Sequence, residues 1–186
     1  MSILAGFLIG IGDIALMSCD NRYIGAFLFS VALMSIIYFQ LPLFTGRVGR
    51  MIRDRTYVEC LRILIMNVVG ATLAIWCYTL MAPDNHKNVI TVANNKFNRG
   101  YLTLFIAGIL CNVLIHIAVS AKQSVITILC VMTFILCGFE HSIADAGYMF
   151  VNWNYLLPWL IVVAGNAVGA ILTFYLLEGG ICNGKG

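Results

Sequence analysis

The chain of 186 residues is 61% hydrophobic and 10% charged, with a mean hydropathy of +0.95. A soluble domain of this length carries far more charge and alternates it with apolar positions, so the composition reads as an integral membrane protein built as one domain, 1–186. The net charge of +3 comes without a basic tract and leaves no electrostatic footprint for nucleic acid.

Six apolar segments follow one another, each near the roughly 20 residues that a helix needs to cross the hydrocarbon layer, so an all-α fold is expected. The first, 2–17, is short and carries Asp13, which is expected near an interface. The opening Met1-Ser2-Ile3-Leu4-Ala5-Gly6 has no basic n-region, and this stretch is expected to be a retained span. The second segment, 23–41, meets Pro42, whose missing amide hydrogen breaks or kinks a helix. Arg47, Arg50 and Arg53 then share one face, the pattern of a snorkelling interfacial turn. The third segment is 57–81, and the polar stretch 82–99 reads as a linker. The fourth, 100–120, leads through a short turn to the fifth, 125–150; Pro158 stands near the start of the sixth, which ends near Leu177. With both termini on one side, that side carries seven Lys and Arg against four, so the termini are expected in the cytoplasm, across the cell (plasma) membrane. Seven cysteines lie mostly inside apolar runs without CxxC spacing and read as small hydrophobes, so neither metal nor cofactor is expected.

The fifth segment holds the stretch that departs most from its surroundings, Gly138-Phe139-Glu140-His141-Ser142-Ile143-Ala144-Asp145. Glu140, His141 and Asp145 fall within six residues of one another. An ionisable side chain costs about 3 kcal/mol or more at the centre of a bilayer, so these must face protein or water. Gly138 marks a place where the backbone leaves the helix, and Ser142 is expected to bond carbonyls freed by that break. Adjacent helical residues point about 100° apart, so Glu140 is expected to face a neighbouring helix or subunit while His141 faces a pathway. His116 reads as a packing histidine.

A repeat is visible at nearly constant offset. Asn67-Val68-Val69-Gly70-Ala71 in the third segment matches Asn166-Ala167-Val168-Gly169-Ala170 in the sixth, and Ala5-Gly6 matches Ala107-Gly108. The break at Pro42 corresponds to the break at Gly138. Three spans per copy is an odd number, so the second copy must insert upside down: two inverted three-helix repeats with the second and fifth helices broken, an aquaporin-like architecture.

Gly138-Phe139-Glu140-His141-Ser142, Leu43-Phe44-Thr45-Gly46, Gly108-Ile109-Leu110-Cys111-Asn112 and Gly165-Asn166-x-x-Gly169 occur in an order that resembles the formate/nitrite transporter family over essentially the whole chain. The resemblance implies a homopentamer with one pore per protomer, and His141 as the pore histidine with Thr45 and Asn166 as polar neighbours. It implies Asn112 as the asparagine of the fourth span and Lys96 as the lysine of the entrance. It further implies an outer apolar constriction at Phe29 and Phe134 and an inner one at Leu33, Leu43 and Phe44. Two positions depart from the family pattern: Asp145 stands in place of Asn, and Leu41-Pro42 in place of Ala-Glu.

A bare formate, nitrite or hydrosulfide ion loses most of its hydration in a dry constriction, at a cost of several kcal/mol, whereas the neutral acid loses far less. Proton-linked passage of a small monovalent anion as its weak acid is therefore the expected function, with Lys96 gathering anions and His141 lending a proton. A neutral-solute channel of the urea or water type is the alternative, although no Asn-Pro-Ala pair stands at either break. A membrane enzyme is not expected, because His116, Glu140, His141 and Asp145 lack metal-ligand spacing such as H-E-x-x-H.

Overall fold

Long apolar runs must satisfy their own backbone in lipid, and they do so as helices. The structure, a computed structural model, describes residues 1–183, with side chains through Leu177. The apolar helices are α1 (Ser2–Met17), α2 (Arg22–Tyr38), α5 (Tyr57–Met81), α7 (Tyr101–Ala121), α8 (Ser124–Leu136) and α10 (Leu156–Asn183). Short helices α3 (Phe44–Arg47) and α4 (Met51–Asp54), α6 (Pro83–Phe97) and α9 (Ser142–Met149) connect or complete them. Three helical stretches, Tyr57–Met81, Tyr101–Ala121 and Trp153–Leu177, are long and apolar enough to cross a membrane, while α1, α2 and α8 are shorter.

Two of these shorter helices, α2 and α8, are cut short by interruptions. Helix α2 ends at Tyr38, ahead of Pro42 and earlier than the expected Leu41; Gln40 takes a left-handed φ of 52° and the chain runs extended into α3. Helix α8 ends at Leu136, Gly138 adopts φ 70°, and α9 begins at Ser142. At both sites glycine-like backbone turns the chain out of its helix, at small cost in Gly138 and at greater cost in Gln40.

Each interruption is held by one buried asparagine. Asn67 of α5 accepts from Phe44 N (2.8 Å) and donates to the carbonyls of Pro42 (3.0 Å) and Ser2 (2.7 Å). Asn166 of α10 accepts from Ser142 N (2.8 Å) and donates to the carbonyls of Glu140 (2.9 Å) and Gly108 (2.8 Å). In both, the amide caps the first residue of the short helix and bonds the carbonyl two residues before it, so that groups orphaned by the break find partners. The work expected of Ser142 thus falls to Asn166, and the Ser142 hydroxyl has no hydrogen-bond partner.

The glycines beside these asparagines set the helix crossings. A Cβ at Gly6 would stand 1.9 Å from Asn67 O, and one at Gly70 would stand 2.0 Å from Ile3 O, so α1 and α5 touch backbone to backbone. A Cβ at Gly165 would meet Phe105 O at 2.4 Å, and one at Gly169 would meet Ile109 O at 2.3 Å, where α7 crosses α10. Such approach needs residues without side chains, as small-residue packing in membranes requires.

The stretch 82–99 is not a linker. It forms α6, with Pro83 at the first helical position, Asp84 in the first turn, and Val89, Ala93 and Phe97 buried at intervals of four. Phe97 stacks on Tyr155 with centroids 5.0 Å apart, and the Tyr155 hydroxyl bonds Asn94, so α6 is clamped over the α9 end of the molecule.

Candidate functional site

Two cavities enter the fold from opposite ends. The larger, about 490 Å³, lies beneath α6 and is lined by Asp13, Arg22, Phe29, Lys96, Phe134 and His141 among others. A second, about 310 Å³, is bordered by Leu41, Leu43, Arg47, Arg50 and Lys122. Helix α7 starts just after α6 and ends at Ala121, beside Lys122; its 21 residues rise roughly 30 Å, so the cavities sit on opposite faces.

His141 stands between them, buried, as the cap of α9. Its Nδ1 accepts from Ala144 N at 3.2 Å, and its Nε2 lies 3.0 Å from Thr45 Oγ1. A ring nitrogen that accepts carries no proton, so the neutral imidazole has its hydrogen on Nε2 and donates it to Thr45. A second proton, on Nδ1, would confront the Ala144 N–H. On the α6 side the ring stacks on Phe134 with centroids 6.0 Å apart, and Phe134 meets Phe29 edge-on at 5.8 Å. Leu33, Leu43 and Phe44 are all buried; of the three, Leu43 borders the second cavity.

The remaining expected residues are gathered close by, in roles that differ from one another. Asn166 touches the backbone on either side of His141 through Glu140 O and Ser142 N. Asn112 donates to Thr45 O (3.2 Å) and Asn166 O (2.7 Å), which ties α7 to both broken elements. Lys96 is not an unencumbered entrance cation: its Nζ lies 2.5 Å from Glu140 Oε2 and 2.9 Å from Asp145 Oδ1. Burial works against the ammonium charge, but the Asp145 and Glu140 carboxylates outweigh it and push the Lys96 pKa up. His116 is buried edge-on against Phe174.

Four residues not expected at the site belong to it. Arg99 donates to Glu140 Oε1 (2.6 Å) and to Gly138 O (2.9 Å), locking the break from the α6 side. Arg22 lines the larger cavity and donates to Ile135 O (2.7 Å) at the end of α8. Trp159 Nε1 donates to Ser142 O (2.8 Å). Asp13, expected at an interface, is 2% exposed and lines the same cavity. The one available signal for Asp13 was its isolation in an apolar run, which marks a functional residue as readily as an interfacial one.

A family model described as "Formate/nitrite transporter" matches residues 1–155. The nitrite transporter NirC of Escherichia coli (strain K12) is 26% identical over 180 residues, covering 82% of this chain and 67% of that protein; the Shigella flexneri NirC matches equally. Among solved structures, a pentameric formate channel with formate bound superposes with a TM-score of 0.80 at 19% identity, over 98% of this chain and 95% of that one. A second, an FNT family ion channel, has a TM-score of 0.80 at 23% identity, over 97% and 88%. The fold and the company it keeps are those of a membrane transporter or channel, not an enzyme. The chain belongs to the formate/nitrite transporter family.

Proposed function

We propose that the protein is a channel-like transporter that passes formate, nitrite, hydrosulfide or a similar small monovalent anion as its neutral weak acid, with proton linkage. The observation behind this reading is the position of His141: a buried imidazole hydrogen-bonded to Thr45, with Phe29 and Phe134 lining the larger cavity beside it and Leu43 bordering the second; Leu33, Leu43 and Phe44 are proposed as the inner constriction. An anion entering that apolar stretch would lose its hydration with only Thr45 and His141 to replace it. The neutral acid crosses at far lower cost and finds one hydrogen-bond partner at mid-path.

The matching asparagine clamps at Asn67 and Asn166 support two inverted three-helix repeats, with α1, the broken α2–α3 and α5 in one and α7, the broken α8–α9 and α10 in the other. That division counts six spans, with α6 capping the outer side and both termini cytoplasmic in a cell membrane. The likeness to a pentameric formate channel supports a homopentamer, and a pathway lined within one chain supports one per protomer.

The test is uptake into proteoliposomes carrying an internal pH dye, with formate, nitrite and hydrosulfide supplied at external pH about 5.5 and about 7.5, either side of the ordinary histidine pKa. Entry of the anion with internal acidification, faster at the lower pH, is the expected result. His141→Asn removes the Thr45–imidazole clamp and admits the bare anion, so uptake should lose its pH dependence. Retention of both rate and pH profile in that variant would make the histidine structural and remove its part in the mechanism.

A further inference from the structure

His141 holds its proton toward Thr45 and turns its other nitrogen to a backbone amide, which leaves open where the proton that neutralises an entering anion comes from. The larger cavity contains another acid. Asp13 is 2% exposed, lines the cavity together with Phe29, Phe134 and His141, and its Oδ2 has no hydrogen-bond partner. Tyr148 lines the same cavity beside it. Its depth is fixed by the residue before it: a Cβ at Gly12 would stand 3.2 Å from the Phe29 ring, so Asp13 sits at the level of the aromatic constriction.

The charges around Asp13 make its proton consequential. Tyr148 and Asp145 face it from α9, Glu140 from the break, and Lys96 from α6, while Arg99 and Arg22 line the same cavity. Helix α5, packed along α1, contributes Tyr78, buried in the cluster that also holds Tyr148. Lys96 and Arg99 are spent on Glu140 and Asp145. With Asp13 ionised, three carboxylates balance the three cations; with Asp13 protonated, the surroundings of the cavity carry one net positive charge, which attracts an anion.

We infer that Asp13 is a proton-exchange acid that hands its proton to the anion in the cavity before it passes Phe29 and Phe134. The carboxylic O–H bond of Asp13 breaks, an O–H bond (S–H for hydrosulfide) forms on the anion, and the neutral acid moves on past His141. The carboxylate left behind takes a proton from water or hydronium entering the cavity from outside, so each cycle carries one proton with one anion. A buried acid with an unpartnered oxygen, lining the cavity that the anion enters, is placed as a general acid must be.

This inference rests on the proton-linked reading above, and the experiment separates the two. Purified full-length protein in proteoliposomes is given formate with the internal dye, as wild type, Asp13→Asn, Asp13→Glu and Tyr148→Phe. At external pH about 7.5 Asp13→Asn should slow proton-coupled uptake about tenfold or more, within the range that a positioned acid contributes. The loss should shrink at about pH 5.5, where bulk solution supplies more neutral acid, and Asp13→Glu should retain most of the rate. Tyr148→Phe removes the hydroxyl beside Asp13 in the cavity, so the pH of half-maximal uptake should move. An Asp13→Asn protein as fast as wild type, or faster because a repelling charge is gone, overturns the inference while wild-type coupling stands. If Asp13→Asn fails to assemble, an unmoved midpoint in Tyr148→Phe overturns it equally. Wild-type formate entry without internal acidification removes the proton-linked reading itself.

Discussion

Lys96 shows how a single side chain changes meaning once its surroundings are known. In sequence it is an entrance cation; in the fold it neutralises Glu140 and Asp145, both of them buried. Removing one partner of a buried pair strands the other charge, at a cost of about 3 kcal/mol. Lys96→Met strands Asp145 and leaves Glu140 with Arg99 alone, so thermal unfolding of the solubilised protein should begin markedly earlier than in wild type. Adding Asp145→Asn to Lys96→Met should recover more than about 1 kcal/mol, because one stranded charge is gone. If the double variant melts no later than the single one, Asp145 does not share the ion pair. The pH sign follows from the raised Lys96 pKa: its stabilisation is complete below the unfolded value of about 10.4 and is lost only as pH climbs through the higher folded value. Between pH 5 and 9 that lysine therefore adds no pH dependence of its own.

At the scale of elements, the two asparagine clamps decide whether the short helices stand. Asn67→Ala leaves Phe44 N and the Pro42 and Ser2 carbonyls without the amide, and Asn166→Ala does the same to Ser142 N and the carbonyls of Glu140 and Gly108. Each buried group so stranded costs about 1–3 kcal/mol, so either variant should lose several kcal/mol, read as a large fall in melting temperature and in yield of assembled protein. Asn67→Ala melting like wild type would show that water replaces the amide there. The sequence made these clamps visible as echoes, because Asn-x-x-Gly-Ala recurs and the glycines beside it permit the crossing. It did not reveal their chemistry, since periodicity reports which face is apolar and not which backbone carbonyl an amide will reach. The helix α6 was legible in principle from Val89, Ala93 and Phe97 at intervals of four behind Pro83, but its polar composition masked that narrow stripe. The family resemblance implies His141, Thr45, Phe29 and Phe134 as parts of one pathway, and the structure brings their rings and hydroxyl into contact. Arg99 and Asp13 stand far from that motif in sequence, so only the packing of α6 and α1 against the break brings them to it.

For the whole molecule, the decisive question is how many pathways an assembly holds. The His141 clamp, the Phe29 and Phe134 rings and the cavities on either side are all built from residues of one chain. Apolar side chains such as Trp76, Leu80, Leu102 and Leu176 face outward, a surface suited to lipid or, in the proposed pentamer, to a neighbouring subunit. Each protomer of the proposed pentamer should then conduct independently. Phe134→Trp enlarges a ring that already touches both Phe29 and His141, and a protein made wholly of it should pass formate at a small fraction of the wild-type rate. Co-expression of wild-type and Phe134→Trp chains at graded ratios, followed by reconstitution, distinguishes the arrangements. Independent pathways lose flux in direct proportion to the blocked fraction, so an equal mixture retains about half the rate. A single conduit shared by five subunits would instead fall with roughly the fifth power of the wild-type fraction, leaving only about 3% in that mixture.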